Sequence, residues 1–364
     1  MSSRKKILVI CPHPENVAPG QRLKYEQYFS NWRANGYDID VKPFFSNRMQ
    51  SILYTKGRIP EKIFWVAWGY IHRLFTAFTL KRYDIVYVFL WVTPFGYPLY
   101  ERIYAAFNPH LVYDIDDAIF IKAKSLVNRS MDFFRGMNKP FFLMRKAKHV
   151  IACTPYLTDT AKQYNINVTD ISSTINTETY QPANHYNNNH KLVLGWSGSH
   201  STSPFLHLLN EVLIEVQKKM EFKLLVMGEA EFKMEGITDL EAVPWSVELE
   251  VPTLQRFDIG LYPLPLDTNW VLGKSGLKAL QYMAVGVPVV ATAVGANYRI
   301  MEHRKTGMLV KSKEEWVNAI VELAQNPEMR KQMGLAGCKN VEARYSIHAT
   351  APVYLNILNK VCKT

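Results

Sequence analysis

Short apolar runs recur along this chain, each followed by a stretch of helical periodicity, and the series is played out twice. The first series places strands at KILVIC (6–11), YDIDVKPF (37–44), DIVYVFL (84–90), HLVYDI (110–115) and HVIACT (149–154). Helical patterns fall between and after them, near 21–34, 60–80, 96–107, 131–146 and 155–164. Such alternation specifies parallel strands covered on both faces by helices. A polar, asparagine-rich segment, NTETYQPANHYNNNH (176–190), has linker composition. Strands then resume at 191–196, 222–228, 257–264, VPVVAT (287–292) and GMLV (307–310). The helices of this half are expected at 204–219, 246–255, 276–285, 312–325, 327–342 and 347–361. This predicts an α/β chain of two Rossmann-like domains, 1–185 and 190–345, with ligands at the strand C-termini in a cleft between them.

Composition narrows the function. Of 364 residues, 48% are hydrophobic and 21% charged, which is globular rather than disordered. The net charge is +11 and sits on one side of the linker. Residues 1–185 hold 24 Lys and Arg against 14 Asp and Glu, and the remainder 19 against 18. A basic half either attracts anionic lipid or a phosphorylated substrate, or is a solvated surface. No nucleic-acid-binding motif accompanies the charge. Cysteines 11, 153, 338 and 362 show no metal-ligand spacing and fit a reducing compartment. The apolar run of MSSRKKILVICPHP suits a first strand better than a signal peptide. The segment 63–83 is interrupted by His72, Arg73 and Lys81, so it is not expected to span a membrane. Its Trp65, Trp68, Tyr70, Arg73, Lys81 and Arg82 suit either an interfacial helix or a helix packed on the sheet.

Four stretches carry candidate chemistry. In LGWSGSHSTSPF (194–205), Ser197, Gly198 and Ser199 follow a strand and precede a helix. Their N–H groups suit a phosphate, or form an ordinary turn capped by Ser203. In CPHPENVAPGQRLKYEQY (11–28), Gly20 precedes a helix, and His13 and Arg22 are substrate-side candidates. In LVYDIDDAIF (111–120), Asp114, Asp116 and Asp117 end a strand, and alternation puts Asp114 and Asp116 on one face. They contact a sugar hydroxyl or cap a helix. In GKSGLKALQYMAVGVPVVAT (273–292), Lys274 and Lys278 flank a helix start, where the macrodipole disfavours lysine unless an anion is bound. No metal site is legible.

At these residues the chain resembles the retaining glycosyltransferases of group 1, or family 4. The matching segments are LGWSGSHST, FDIGLYPLPLDTNW, GKSGLKALQYMAVGVPVVATAVGANYRI and EHRKTGMLV, over roughly 190–345. ILVICPHP, VYDIDDAIF and VIACTPYL match more loosely. The resemblance implies the GT-B fold, two Rossmann-like domains facing each other across a cleft. It also implies retaining sugar transfer from a nucleotide-diphosphate sugar to an acceptor hydroxyl, with neither cofactor nor metal. Donor binding falls mainly to the C-terminal domain and acceptor binding to the N-terminal one, with helix 347–361 crossing back onto the first domain.

The sequence departs from the family where two glutamates normally stand, with seven residues between them. The second falls on Gln281, able to bind ribose hydroxyls without charge, and the first on Gly273. The family's basic pair is absent from 197–205. Lys274 and Lys278 are therefore expected to carry the diphosphate charge catalytically, with Ser197, Gly198, Ser199, Ser275, Gly276, Leu277, Gln281 and Gly20 binding donor. Asp116 falls near the family's histidine position and is the third catalytic candidate. Asp114, His13 and Arg22 are expected on the acceptor side. The expected role is in bacterial surface polysaccharide or glycolipid assembly, with a glycan or lipid-linked acceptor; the basic first half suggests peripheral contact with anionic membrane, and the cysteines a cytoplasmic setting. The alternatives are a sugar-nucleotide epimerase or hydrolase, or a non-catalytic sugar-nucleotide-binding subunit.

Overall fold

The computed structural model describes residues 4–53, 55–121, 136–182, 191–199 and 202–363. The expected helix at 131–146 and the linker therefore lie partly outside the described residues. These fall into two compact units. The first runs to Ser173 and includes Leu272–Ser275 and the stretch from Thr350 onward; the second takes the rest.

The first unit is a six-stranded sheet in the order β2-β1-β3-β4-β5-β6. Its strands are β1 (Lys5–Cys11), β2 (Tyr37–Pro43), β3 (Ile85–Phe89), β4 (Leu111–Ile115), β5 (His149–Ala152) and β6 (Val168–Asp170). All neighbouring pairs are parallel. Every residue of β3 and β4 is buried, as both faces are covered. The expected 21–34 helix is broken into Pro19–Arg22, a 3-10 turn Glu26–Tyr28, and Phe29–Ala34. From the C-terminal stretch, Tyr354 packs on Tyr28 with centroids 4.6 Å apart, and Tyr37 donates to Asn359 Oδ1 at 2.8 Å.

The second unit is also six-stranded, in the order β12-β11-β10-β7-β8-β9. It is built from β7 (Val193–Ser197), β8 (Lys223–Met227), β9 (Leu240–Val243), β10 (Ile259–Tyr262), β11 (Val289–Thr292) and β12 (Met308–Val310). These strands are parallel throughout. The strand order reverses between β7 and β10, and the carboxyl ends beside such a reversal form the natural binding crevice of an open α/β sheet. The expected 204–219 helix opens as a 3-10 segment, Ser203–Leu209, before α-helix Asn210–Lys219. The second unit begins at Thr174, earlier than the expected 190, because Tyr180 is tied into it by Glu250 and Gln281. Among the described residues, no helix is long and apolar enough to cross a membrane.

Candidate functional site

In the second unit the site grows from the ends of β7 and β10. Gly276 caps helix Leu277–Ala284 with φ +78°, and a Cβ there would lie 2.3 Å from Ile300 Cδ1, so only glycine fits. Among the described residues, no side chain caps this helix. Its opening N–H groups, beginning with half-buried Leu277, keep their positive dipole end. Lys278 is half-buried one residue on, its ammonium 5.7 Å from the Trp196 ring centroid and 5.8 Å from that of Tyr262. Trp196 belongs to β7 and Tyr262 to β10, so the charge stands at the strand-order reversal. The two aromatic faces offset the cost of a cation at a helix start.

Two expectations are corrected here. The N–H groups of 197–199 do not form an open phosphate cradle. Ser197 donates to Tyr282 Oη at 2.7 Å, Gly198 to Met227 O at 2.9 Å, and Ser199 to Thr202 Oγ1 at 3.0 Å. Each is spent on holding the strand-to-helix turn; His200 and Ser201 lie outside the described residues. Gln281 is not poised for ribose either. It is buried, and its amide donates to Glu250 Oε1 at 3.0 Å and to Tyr180 Oη at 3.1 Å. Tyr180 donates to Glu250 Oε2 at 2.7 Å, and Trp245 Nε1 to Glu250 Oε1 at 3.0 Å. Thus a carboxylate stands beside position 281, supplied by helix Val247–Leu254. The sequence carries no signal that distinguishes Glu250 from its neighbour Glu248.

In the first unit the three aspartates separate. Asp114 lies inside β4, fully buried, paired with the equally buried Lys24 at 3.1 Å and accepting from Tyr87 Oη. It is therefore a core ion pair and not an acceptor contact. Burial opposes the Lys24 charge, but the Asp114 carboxylate outweighs it and raises the lysine pKa. Asp116 lies just past the strand, half-buried. A Cβ on Gly20, in the Pro19–Arg22 turn, would stand 2.9 Å from its Oδ2. Burial, with the charges of Asp117 and Asp114, pushes the Asp116 carboxyl up to about 7, against the pull of Lys24 and Lys274. Asp117 takes the Ala118 N–H at 2.8 Å and pairs with Lys274 at 2.8 Å.

Lys274 and Lys278 thus have different surroundings. The segment Leu272–Ser275 groups with the first unit, and its Ser275 meets Ser173, Oγ to Oγ, at 2.8 Å. Gly273 is pressed on Ala118: a Cβ would lie 2.6 Å from its backbone nitrogen. No side chain fits there without moving backbone. Gly273→Glu, which places there the glutamate that the resemblance implies, is expected to destabilise the protein by about 2–3 kcal/mol. Denaturant unfolding checks this. Of the acceptor-side candidates, His13 is half-buried, its Nδ1 2.8 Å from Gln50 Oε1, while Gln21 exchanges hydrogen bonds with its backbone. Burial lowers its pKa against that Gln50 contact, favouring the neutral ring at pH 7. Arg22 is half-buried at the end of the same turn.

The Asp116 shift has a stability signature. A folded pKa of about 7 against 3.8 means the ionised carboxyl costs stability. That cost is absent below pH 3.8, grows as pH rises, and is complete above about 7. Asp116→Asn is expected to gain about 2 kcal/mol over wild type at pH 8, part of the effect being screened at the exposed edge. The two melting temperatures should converge toward pH 4.

The comparisons with known proteins agree with this architecture. Residues 191–326 match the family described as "Glycosyl transferases group 1". Over 87 residues the chain is 33% identical to the trehalose synthase of Pyrococcus horikoshii, covering 24% of this chain and 21% of that protein. The chain thus spans about a fifth of the length of that curated relative. Sucrose-phosphate synthase from Thermosynechococcus elongatus aligns with a TM-score of 0.73 at 16% identity, over 98% of this chain and 99% of that one. The fold is GT-B. A second GT-B structure, Anabaena HepE in complex with UDP and glucose, aligns with a TM-score of 0.68 at 14% identity, over 98% and 100% of the two chains.

Proposed function

We propose that the protein is a retaining glycosyltransferase that moves a sugar from a nucleotide-diphosphate sugar to an acceptor hydroxyl. The observation that carries this is the start of helix Leu277–Ala284, inside the family-matched region. It is uncapped, entered through left-handed Gly276, and carries Lys278 at the strand-order reversal. HepE, which shares the fold, was solved with UDP and glucose, and a diphosphate is the anion such a helix end suits.

The second unit binds the donor. As the glycosidic bond breaks, negative charge builds on the leaving diphosphate, and Lys278 with the helix N–H groups stabilises it where it forms. That charge needs no metal on this reading. The acceptor hydroxyl attacks from the leaving-group face, and the departing phosphate oxygen takes its proton. Asp116 orients the acceptor hydroxyl in the first unit; with a carboxyl near 7, it changes charge in the working range. Glu250 fixes Gln281 and so shapes the wall on which the nucleoside rests. The acceptor is a glycan or lipid-linked molecule of surface polysaccharide or glycolipid assembly, met at the inner face of the cytoplasmic membrane.

A second reading, a binding subunit without turnover, is favoured by one observation: a side chain at 273 would have to displace the Ala118 backbone. Proton NMR of UDP-, GDP- and dTDP-sugars incubated with the protein separates the cases. Transfer predicts donor consumption only with acceptor present, and a product of unchanged anomeric configuration. Free sugar or an epimer without acceptor would make it a hydrolase or epimerase. Nucleotide binding with no consumption under any condition would favour the binding subunit.

A further inference from the structure

Helix Ile59–Ala77 of the first unit is amphipathic in the wrong sense for a soluble protein. Its buried residues, Gly69, Arg73, Thr76 and Ala77, are small or polar. Gly69 lies against the Phe44 ring, where a Cβ would be 2.7 Å from Cζ. Arg73 is fully buried and donates to Val92 O at 2.9 Å, Lys42 O at 2.8 Å and Cys11 O at 2.9 Å. Tyr70 donates to Phe95 O at 2.8 Å. These ties fix the helix on the unit and fix which side faces out.

The outward side is apolar. Phe64, Trp68, Ile71, Phe75 and Phe78, the last at the helix C-cap, recur at alternating spacings of four and three, the period of one helix face. With Ile63 beside them, these side chains keep between 45% and 69% of their surface exposed. A continuous apolar stripe along a helix about 28 Å long is far more than scattered surface hydrophobics, and it marks an interaction face.

The charge around it selects the partner. Lys56 and Arg58 precede the helix, Lys81 and Arg82 follow it, and all four are exposed. The only acidic residue within the helix, Glu61, is paired with Arg48 at 2.8 Å and Arg58 at 3.5 Å. A second copy of this face would bring basic ends together in either orientation. An anionic lipid surface meets both features at once, taking the apolar stripe into the acyl boundary and the basic ends at the headgroups.

We propose that the Ile59–Ala77 helix is an in-plane membrane anchor that lays its Phe64–Phe78 stripe into an anionic lipid leaflet. Its purpose rests on the lipid-linked acceptor proposed above, but its physical basis does not. The test is flotation of the full chain with vesicles of phosphatidylcholine alone and of phosphatidylcholine with phosphatidylglycerol. Wild type is expected to float with the anionic vesicles, and less so in high salt. The exposed pair Phe64→Ser with Phe75→Ser should weaken binding at least tenfold, each change removing apolar area from the lipid. Lys81→Glu with Arg82→Glu should weaken it too. Nucleotide binding by the Phe variants, measured without lipid, should match wild type, which separates failure of the anchor from failure of the donor site. Wild type that ignores anionic vesicles would overturn the proposal. So would a solution dimer that the Phe substitutions dissociate, since the stripe would then belong to a second copy.

Discussion

Lys278→Ala is expected to lower turnover about 10²–10³-fold, the usual cost of removing one charge-stabilising contact from a transition state. The lysine is half-buried over Trp196 and Tyr262, at the second residue of an uncapped helix. Its aromatic contacts are each worth about 0.5–2 kcal/mol. Opposing them is the repulsion from the helix dipole, about 0.3–1 kcal/mol. Together the two contacts outweigh the repulsion, so the variant should still fold but melt somewhat below wild type. Lys278→Arg should recover part of the rate if charge is what matters. Steady-state kinetics of the two variants, with unfolding curves alongside, check this. A variant as active as wild type would remove Lys278 from the chemistry. Lys274→Ala should lose less, because Lys274 already shares its charge with Asp117.

Lys24→Met should destabilise the first unit by about 3–5 kcal/mol, the cost of stranding one member of a buried ion pair. Lys24 and Asp114 are both fully buried, and Lys24 also donates to Ile171 O at 2.7 Å. Adding Asp114→Asn removes the stranded charge while leaving an acceptor for Tyr87, so the double variant should recover much of the loss. Urea unfolding of the two single variants and the double one forms the cycle that measures this coupling. Nearly additive losses would mean the pair is not coupled.

The alternation of apolar runs with helical stretches revealed both parallel sheets, because a doubly covered strand must be apolar throughout. That same rule hid the difference between Asp114 and Asp116. Parity placed them on one face, but β4 is buried on both faces and ends at Ile115, so one aspartate is inside the sheet and the other beyond it. Strands β6 and β9 are edges of three and four residues with no continuous apolar run, so nothing local marked them. The LKYEQY stretch falls in the expected 21–34 helix, and its Lys24 is buried only because an aspartate 90 residues away receives it. Long-range hydrogen bonds account for the rest. The phosphate-like turn at Ser197 is closed by Tyr282, and Gln281 is claimed by Glu250 and Tyr180. What stayed legible was Lys278 beside Gly276, because a lysine at a helix start behind a glycine needs a reason that the local sequence does not supply.

We propose that the second unit holds a nucleotide diphosphate at the start of helix Leu277–Ala284. The most direct test is calorimetric titration of the full chain with UDP, GDP and dTDP, for wild type and Lys278→Ala. One nucleotide should bind wild type in the micromolar range, with Lys278→Ala at least tenfold weaker, about 1.4 kcal/mol. Binding that is equal in the two proteins, or absent for all three nucleotides, would contradict it.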